Sequence, residues 1–392
     1  MRLELGTFPV RSIAFGDTTR WADGHLTVDK AAALAEVRRD PRIATVGQGK
    51  THRLAGMGIV EVSSVNWHDS GGDFVETYLD MSGPFAEMYP YHRLQLLCVV
   101  VEPDPGLSDE SRNDAVHKAA LAVSDHVARA TAGLTPPEHE VFELAPCDPT
   151  LPRVVYIWGV HSPQAMSGSL TAFCTATYGL TQLTPPWILH PNEIIDGALA
   201  GPYRTAFAMS WTVANNPLFM DLYRRHGRDW NFLGVIVLRT EWTTQHEKQM
   251  IANQTAKTAK MLGAQGAVVT WDAGGNEFIE VVRTIQACER LGIKTVFLTS
   301  EDDATDGAPT MLEPLPEADA IVSTSFFKNV TLQVADPGPV SRVIGLDRKV
   351  IYRGSGVGLH AGADSALPTA GTLPPPWRYD DHYGFGTQSC IE

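Results

Sequence analysis

The chain has 392 residues, 44% of them apolar, and a formal net charge of −14. That length suits two domains or one large α/β unit. Acidic charge spread along the whole chain argues against nucleic acid or an anionic membrane as partner. No apolar run reaches membrane-spanning length, and Met1-Arg2-Leu3-Glu4-Leu5 lacks a signal-peptide pattern. Five cysteines (Cys98, Cys147, Cys174, Cys288, Cys390) are odd in number, scattered and without a CxxC pair. They exclude a disulfide framework and a Cys-rich zinc site, so a cytoplasmic location is expected.

The first 150 residues read as mixed α+β. Residues 3–27 alternate in the manner of short strands, and 29–39 carry a helical apolar face. The run Gly47-Gln48-Gly49-Lys50-Thr51-His52 has the wrong glycine spacing for a Walker loop and reads as a turn before a strand. A loop histidine beside glycines is accessible to substrate, so His52 is a candidate acid/base and Thr51 a candidate substrate contact. Trp67-His68-Asp69 reads as a turn. Strands are expected at 56–62 and 94–101, an amphipathic helix at 111–132, and a linker or turn at Thr135-Pro136-Pro137-Glu138.

From residue 153 the pattern changes to apolar strands at 154–160, 232–238, 266–271, 295–299 and 320–323. Helices at 243–262 and 276–291 lie between three of them. Such alternation implies a doubly wound, mainly parallel sheet. The organisation expected is therefore a mixed region 1–150, a Rossmann-like α/β region 151–345 and an irregular tail 346–392, rich in Gly, Pro and aromatics.

Four places carry chemistry-capable residues. In His190-Pro191-Asn192-Glu193-Ile194-Ile195-Asp196-Gly197, Glu193 and Asp196 share one helix face at i and i+3. They are candidate acid and base, and His52, His190 and Glu193 form a candidate divalent-metal set. The alternative is ordinary capping, with Asn192 or Pro191 opening the helix. The loop Asp272-Ala273-Gly274-Gly275-Asn276-Glu277 follows a strand and precedes a helix, where open α/β sheets bind ligands. Gly275 and Asn276 are candidate substrate contacts there, and Ser300-Glu301-Asp302 and Ser323-Thr324 fall on the same edge. In residues 215–238, Asn215 and Asn216 can cap a short helix closed by Gly227. Arg224, Arg225 and His226 fall at its negative end, and an apolar strand follows. His226 is a candidate catalytic group, and Asn215 and Asn216 are candidate substrate contacts. Cys288, on a helix among apolar neighbours, reads as core.

Several ordered motifs carry a family resemblance. They are Met1-Arg2-Leu3-Glu4-Leu5-Gly6, Val46-Gly47-Gln48-Gly49-Lys50-Thr51-His52, Asp80-Met81-Ser82-Gly83-Pro84 with Val101-Glu102-Pro103, and Pro191 to Ala198. Residues 215–238, Leu262-Gly263-Ala264-Gln265-Gly266-Ala267, Gly292-Ile293-Lys294-Thr295 and Glu317-Ala318-Asp319-Ala320 continue them. Up to about residue 345 the chain resembles the component B alpha/beta proproteins of the glycine, sarcosine and betaine reductases, with D-proline reductase as a cousin. In that family a cysteine in the second half becomes a pyruvoyl group. Its carbonyl captures a substrate amine, and a partner subunit bearing selenocysteine or cysteine cleaves the C–N bond reductively. The resemblance places Ile285 where that cysteine is expected, with Cys288 about one helical turn on. It therefore implies a component B-like protein without a pyruvoyl group, acting on a small amine or other nitrogenous compound with a related subunit in a homo- or hetero-oligomer. Two alternatives stand beside it. One is a stand-alone metal-dependent hydrolase or lyase built on His52, Glu193, Asp196 and His226, and the other is a non-catalytic scaffold subunit.

Overall fold

The structure, a computed structural model, describes residues 1–10, 26–27, 47–63, 67–69, 72–74, 93–161, 178–179, 186–200, 210–240, 243–271, 278–299, 315–323, 332–334 and 371–373. The first part holds β1 (Arg2–Pro9), β2 (Gly49–Ala55), β3 (Met57–Ser63), β4 (Gln95–Val101), helix α1 (Asp109–Ala128) and β5 (Glu138–Glu143). One three-stranded sheet runs β2-β1-β5, with β2 parallel and β5 antiparallel to β1. In another, β3 and β4 pair in parallel, and α1 packs on it through Ala120 against Met57 and Ile59.

The second part holds β6 (Arg153–His161), β7 (Trp187–Leu189), α2 (Pro191–Ile195), α3 (Pro217–Arg224), β8 (Asn231–Thr240), α4 (Gln245–Met261), β9 (Gly266–Trp271), α5 (Phe278–Arg290), β10 (Lys294–Thr299) and β11 (Ile321–Ser323). These strands form one sheet in the order β7-β8-β6-β9-β10-β11. Only β7 runs antiparallel to its neighbour. The five parallel strands thus lie in the order 2-1-3-4-5, whose switch point falls between β6 and β9.

Both faces of this sheet are covered, which is why its strands read as unbroken apolar runs. Val155, Ile157, Ile236, Leu238 and Val269 face Ala256, Ala259, Val281 and Ile285 of α4 and α5. Tyr156, Trp158, Val235 and Val237 face the other way, onto Phe219 and Tyr223 of α3 and onto Leu3, Leu5 and Phe142 of the β2-β1-β5 sheet. The register of β8 on β6 slips between Phe232 and Val235. Gly234 sits there with φ 121°, a backbone conformation that suits glycine at a bulge.

Some expected elements differ. Lys50, Thr51 and His52 lie inside β2 and not in a loop, because the turn is complete at Gly49. Trp67–Asp69 is a short strand paired with Gly72–Phe74. Glu138 opens β5 and is not part of a linker. The helix expected at 111–132 stops at Ala128 and tightens into a 3₁₀ turn, Arg129–Thr131. Helix α3 ends at Arg224, and Gly227, with φ 77°, belongs to the turn beyond it. The helix at 29–39, the motif 80–84, the loops 272–277 and 300–302 and the tail 346–392 lie outside the described residues, except for the strand Gly371–Leu373. No described helix is long and apolar enough to cross a membrane.

Candidate active site

A buried polar junction joins the β2-β1-β5 sheet to the large sheet. Asp196, the C-cap of α2, is 1% exposed. Its Oδ2 accepts the Gly47 N–H at 2.8 Å, and its Oδ1 accepts the Thr51 hydroxyl at 2.5 Å. Gly47 has φ 82°, and a Cβ there would lie 2.9 Å from the Asn192 carbonyl carbon, so no side chain fits. Asn192 is fully buried. Its Nδ2 donates to the Gly47 carbonyl at 3.1 Å, and its Oδ1 accepts the Tyr223 hydroxyl at 2.6 Å. Burial pushes the Tyr223 phenol well above its ordinary range, so it stays a protonated donor.

The other expected site residues are each held in separate structural bonds. His190 and Glu193 make a reciprocal capping box at the start of α2. The Glu193 carboxylate accepts the His190 N–H at 2.7 Å, and the Asn192 N–H donates to His190 Nδ1 at 3.2 Å. Burial, then the nearby amino terminus, push the His190 imidazole down to about 4. Its folded value therefore lies below its unfolded 6.5, so its contribution to stability is complete above pH 6.5 and is lost as pH falls towards 4. His190→Asn keeps a capping oxygen and removes the titration. Melting temperature across pH 4–7 should fall less steeply for this variant than for the parent.

Successive side chains of a strand point to opposite faces. Thr51 meets Asp196, and His52 therefore turns away. His52 Nδ1 lies 3.1 Å from the Thr131 hydroxyl, and its ring meets Phe8 edge-on at 5.2 Å. His52 thus does not join His190 and Glu193, and among the described residues no three His, Cys, Asp or Glu side chains are grouped to hold a metal ion. His226 Nδ1 accepts the Phe232 N–H at 3.1 Å, so its Nε2 carries the proton and donates to the Ala145 carbonyl at 2.9 Å. Asn215 Nδ2 donates to the Trp211 carbonyl. Asn216 caps α3 through the Phe219 N–H and donates from Nδ2 to the Tyr156 hydroxyl at 3.1 Å. Tyr156 in turn lies 2.6 Å from the Thr270 hydroxyl. Gly275 and Asn276 fall outside the described residues.

The carboxyl edge of the large sheet carries Ser323, which was expected there, together with buried groups that the sequence pattern did not single out. Thr240, Thr270, Thr299 and Ser323 are each 0% exposed and lie at or next to the last positions of β8, β9, β10 and β11. Beside them, the first turns of α4 and α5 hold a buried ion pair, Lys248 Nζ to Glu280 Oε2 at 2.9 Å. Lys248 shares a face with Ala252 and Ala256, and Glu280 with Thr284 and Cys288. A charge at i−4 and i−8 from buried small residues was the available signal. Helix N-termini, hydroxyls and a fixed charge pair suit a small polar ligand with an anionic group.

On the core face of α5, Ile285 and Cys288 are both 0% exposed. Burial, then the Glu289 charge, push the Cys288 thiol up to about 12. The carbonyl before it, on Ala287, accepts the Leu291 N–H inside the helix.

A 2-1-3-4-5 parallel sheet with polar groups at its carboxyl edge defines a doubly wound α/β protein whose ligands are expected at that edge. The chain belongs to the glycine/sarcosine/betaine reductase component B subunits, whose family model matches residues 41–363. It is 29% identical to the glycine reductase complex component B subunits alpha and beta of Acetoanaerobium sticklandii, over 82% of this chain and 83% of that protein. It is 30% identical to the betaine reductase complex component B subunit alpha of Peptoclostridium acidaminophilum, over 82% and 84%. The sarcosine reductase complex component B subunit alpha of the same organism is 28% identical over 82% and 85%. No solved structure matches the chain.

Proposed function

We propose that this chain is a component B-type subunit that takes part, with a related partner subunit, in cleaving the C–N bond of a small amine or other nitrogenous compound, and that it does so without forming a pyruvoyl group. Membership of the component B family and the names of its relatives support the reductase role. The carboxyl edge at the switch point is the place this reading assigns to substrate. The α5 N-terminus there would meet the carboxylate of an amino acid or betaine.

The observation that carries the intact-chain reading is the core face of α5. Forming a pyruvoyl group needs a thiol, hydroxyl or selenol to attack the carbonyl before it, followed by chain cleavage and loss of the heteroatom. Ile285 has no such nucleophile. Cys288 has one, but its thiol is buried and neutral, and the carbonyl it would attack is engaged in the helix. The residues present do not fit the group, and the electrophile, where the reaction needs one, belongs to another subunit. Denaturing intact-mass measurement should return one species of 42.7 kDa, with no ketone reactive towards hydrazine. Two fragments and a hydrazine adduct would refute the reading.

A further inference from the structure

The small sheet β2-β1-β5 holds an arginine that the fold leaves without an acceptor. Residues paired across strands share a face, so Arg53 of β2 stands beside Thr7 of β1 and Glu138 of β5. The same face carries Thr51, Leu5 and Glu140. It is turned to the large sheet, since Leu5 packs in that core. Thr7 is only 6% exposed there. The Arg53 Nε is buried and has no hydrogen-bond partner, and its guanidinium makes no hydrogen bond or ion pair among the described residues.

Two carboxylates and a second arginine act on this group. Glu140 accepts two bonds at 2.9 Å from Arg224, one from Nε and one from Nη2, so both its oxygens are engaged. Glu138 is exposed to solvent. Burial is the largest influence on the Arg53 guanidinium and pushes it down from its ordinary value. Glu140 and Glu138 push it up, Arg224 pushes it down, and the balance is down. The neighbouring carboxylates therefore do not offset the cost of holding this cation out of water. A water molecule could satisfy one N–H but brings no charge. An oxyanion supplies both acceptors and charge, and the planar fork of N–H donors suits carboxylate or phosphate.

We propose that Arg53, with the Thr7 hydroxyl beside it and the Arg224 guanidinium in electrostatic reach, is a binding site for the carboxylate or phosphate group of a small molecule. Helix α3 leads into the start of β8, so Arg224 lies towards the amino edge of the large sheet. The site is thus apart from the carboxyl edge assigned to substrate, and the proposal stands or falls without that reading.

The test uses the full chain, with phosphate or acetate replacing chloride at constant ionic strength. Differential scanning fluorimetry should show a melting temperature that rises saturably, by about 2 °C or more, with at least one of the two. A rise with phosphate alone assigns the site to phosphate groups, and a rise with acetate assigns it to carboxylates. Arg53→Gln should lose the response. In chloride alone it should melt no lower than the parent, because an unpaired buried charge is removed. Arg53→Lys keeps the charge without the fork and should raise the half-saturating concentration about tenfold. If Arg53 instead serves the fold by pairing with Glu138 or Glu140, Arg53→Gln will melt lower, or fail to fold, with or without anion. That result overturns the proposal. Absence of a saturable rise in the parent, or an equal rise in Arg53→Gln, overturns it as well.

Discussion

Lys248→Met is expected to lower the free energy of unfolding by about 3–5 kcal/mol, the cost of removing one partner of a buried ion pair. The two side chains are 2% and 0% exposed, and the ammonium lies 2.9 Å from the Glu280 carboxylate. Without it, Glu280 keeps a negative charge in a core built of Ala, Val, Ile and Phe. The pair is not there for stability as such. Lysine in a first helical turn opposes the helix dipole, and well-packed apolar residues often do as well as a buried pair. The double variant Lys248→Met/Glu280→Leu should therefore recover most of the loss, which equilibrium urea denaturation of all three proteins would reveal. A double variant as unstable as the single one would show that packing, not charge compensation, sets the cost. Their position in the first turns of α4 and α5 ties the two helix ends together beside the carboxyl edge.

Asn192→Leu is expected to cost about 2–4 kcal/mol, because it nearly conserves volume and strips hydrogen bonds from buried groups. The Tyr223 hydroxyl and the Gly47 carbonyl each lose a partner. The damage should be local before it is global. Native-state hydrogen exchange at the Gly47 and Thr51 amides should accelerate, while exchange in β6 and β9 follows only the change in global stability. Uniform acceleration everywhere would mean that the junction opens only with the whole fold.

The parallel strands were legible in the sequence because burial on both faces leaves continuous apolar runs such as Val154 to Val160 and Phe232 to Leu238. Strand β5, Glu-His-Glu-Val-Phe-Glu, was not legible. Only Phe142 is buried there, and its alternation is hidden by charges on both faces. β7 was missed because it has three residues and an exposed Ile188. At the site, spacing set Glu193 and Asp196 on one helix face, whereas Glu193 closes a capping box with His190 and Asp196 is the C-cap. His52 was read from a loop, and one residue of strand register sends it to the opposite face from Thr51. The pairing of Lys248 with Glu280 joins residues 32 positions apart on different helices, and no local pattern reports it.

Most of what buries strand β1 lies far from it in sequence. Leu3 and Leu5 pack with residues of β6, α3 and β8, and the Met1 carbonyl accepts from Asn192, 191 positions away. At ~5–20 residues per second, ribosomal synthesis leaves this strand waiting roughly 10 to 40 s for its partners. During that interval its sheet has one early neighbour, β2, and an open edge that β5 fills only after residue 138. Until then the unpaired edge of β1 is open to misassociation.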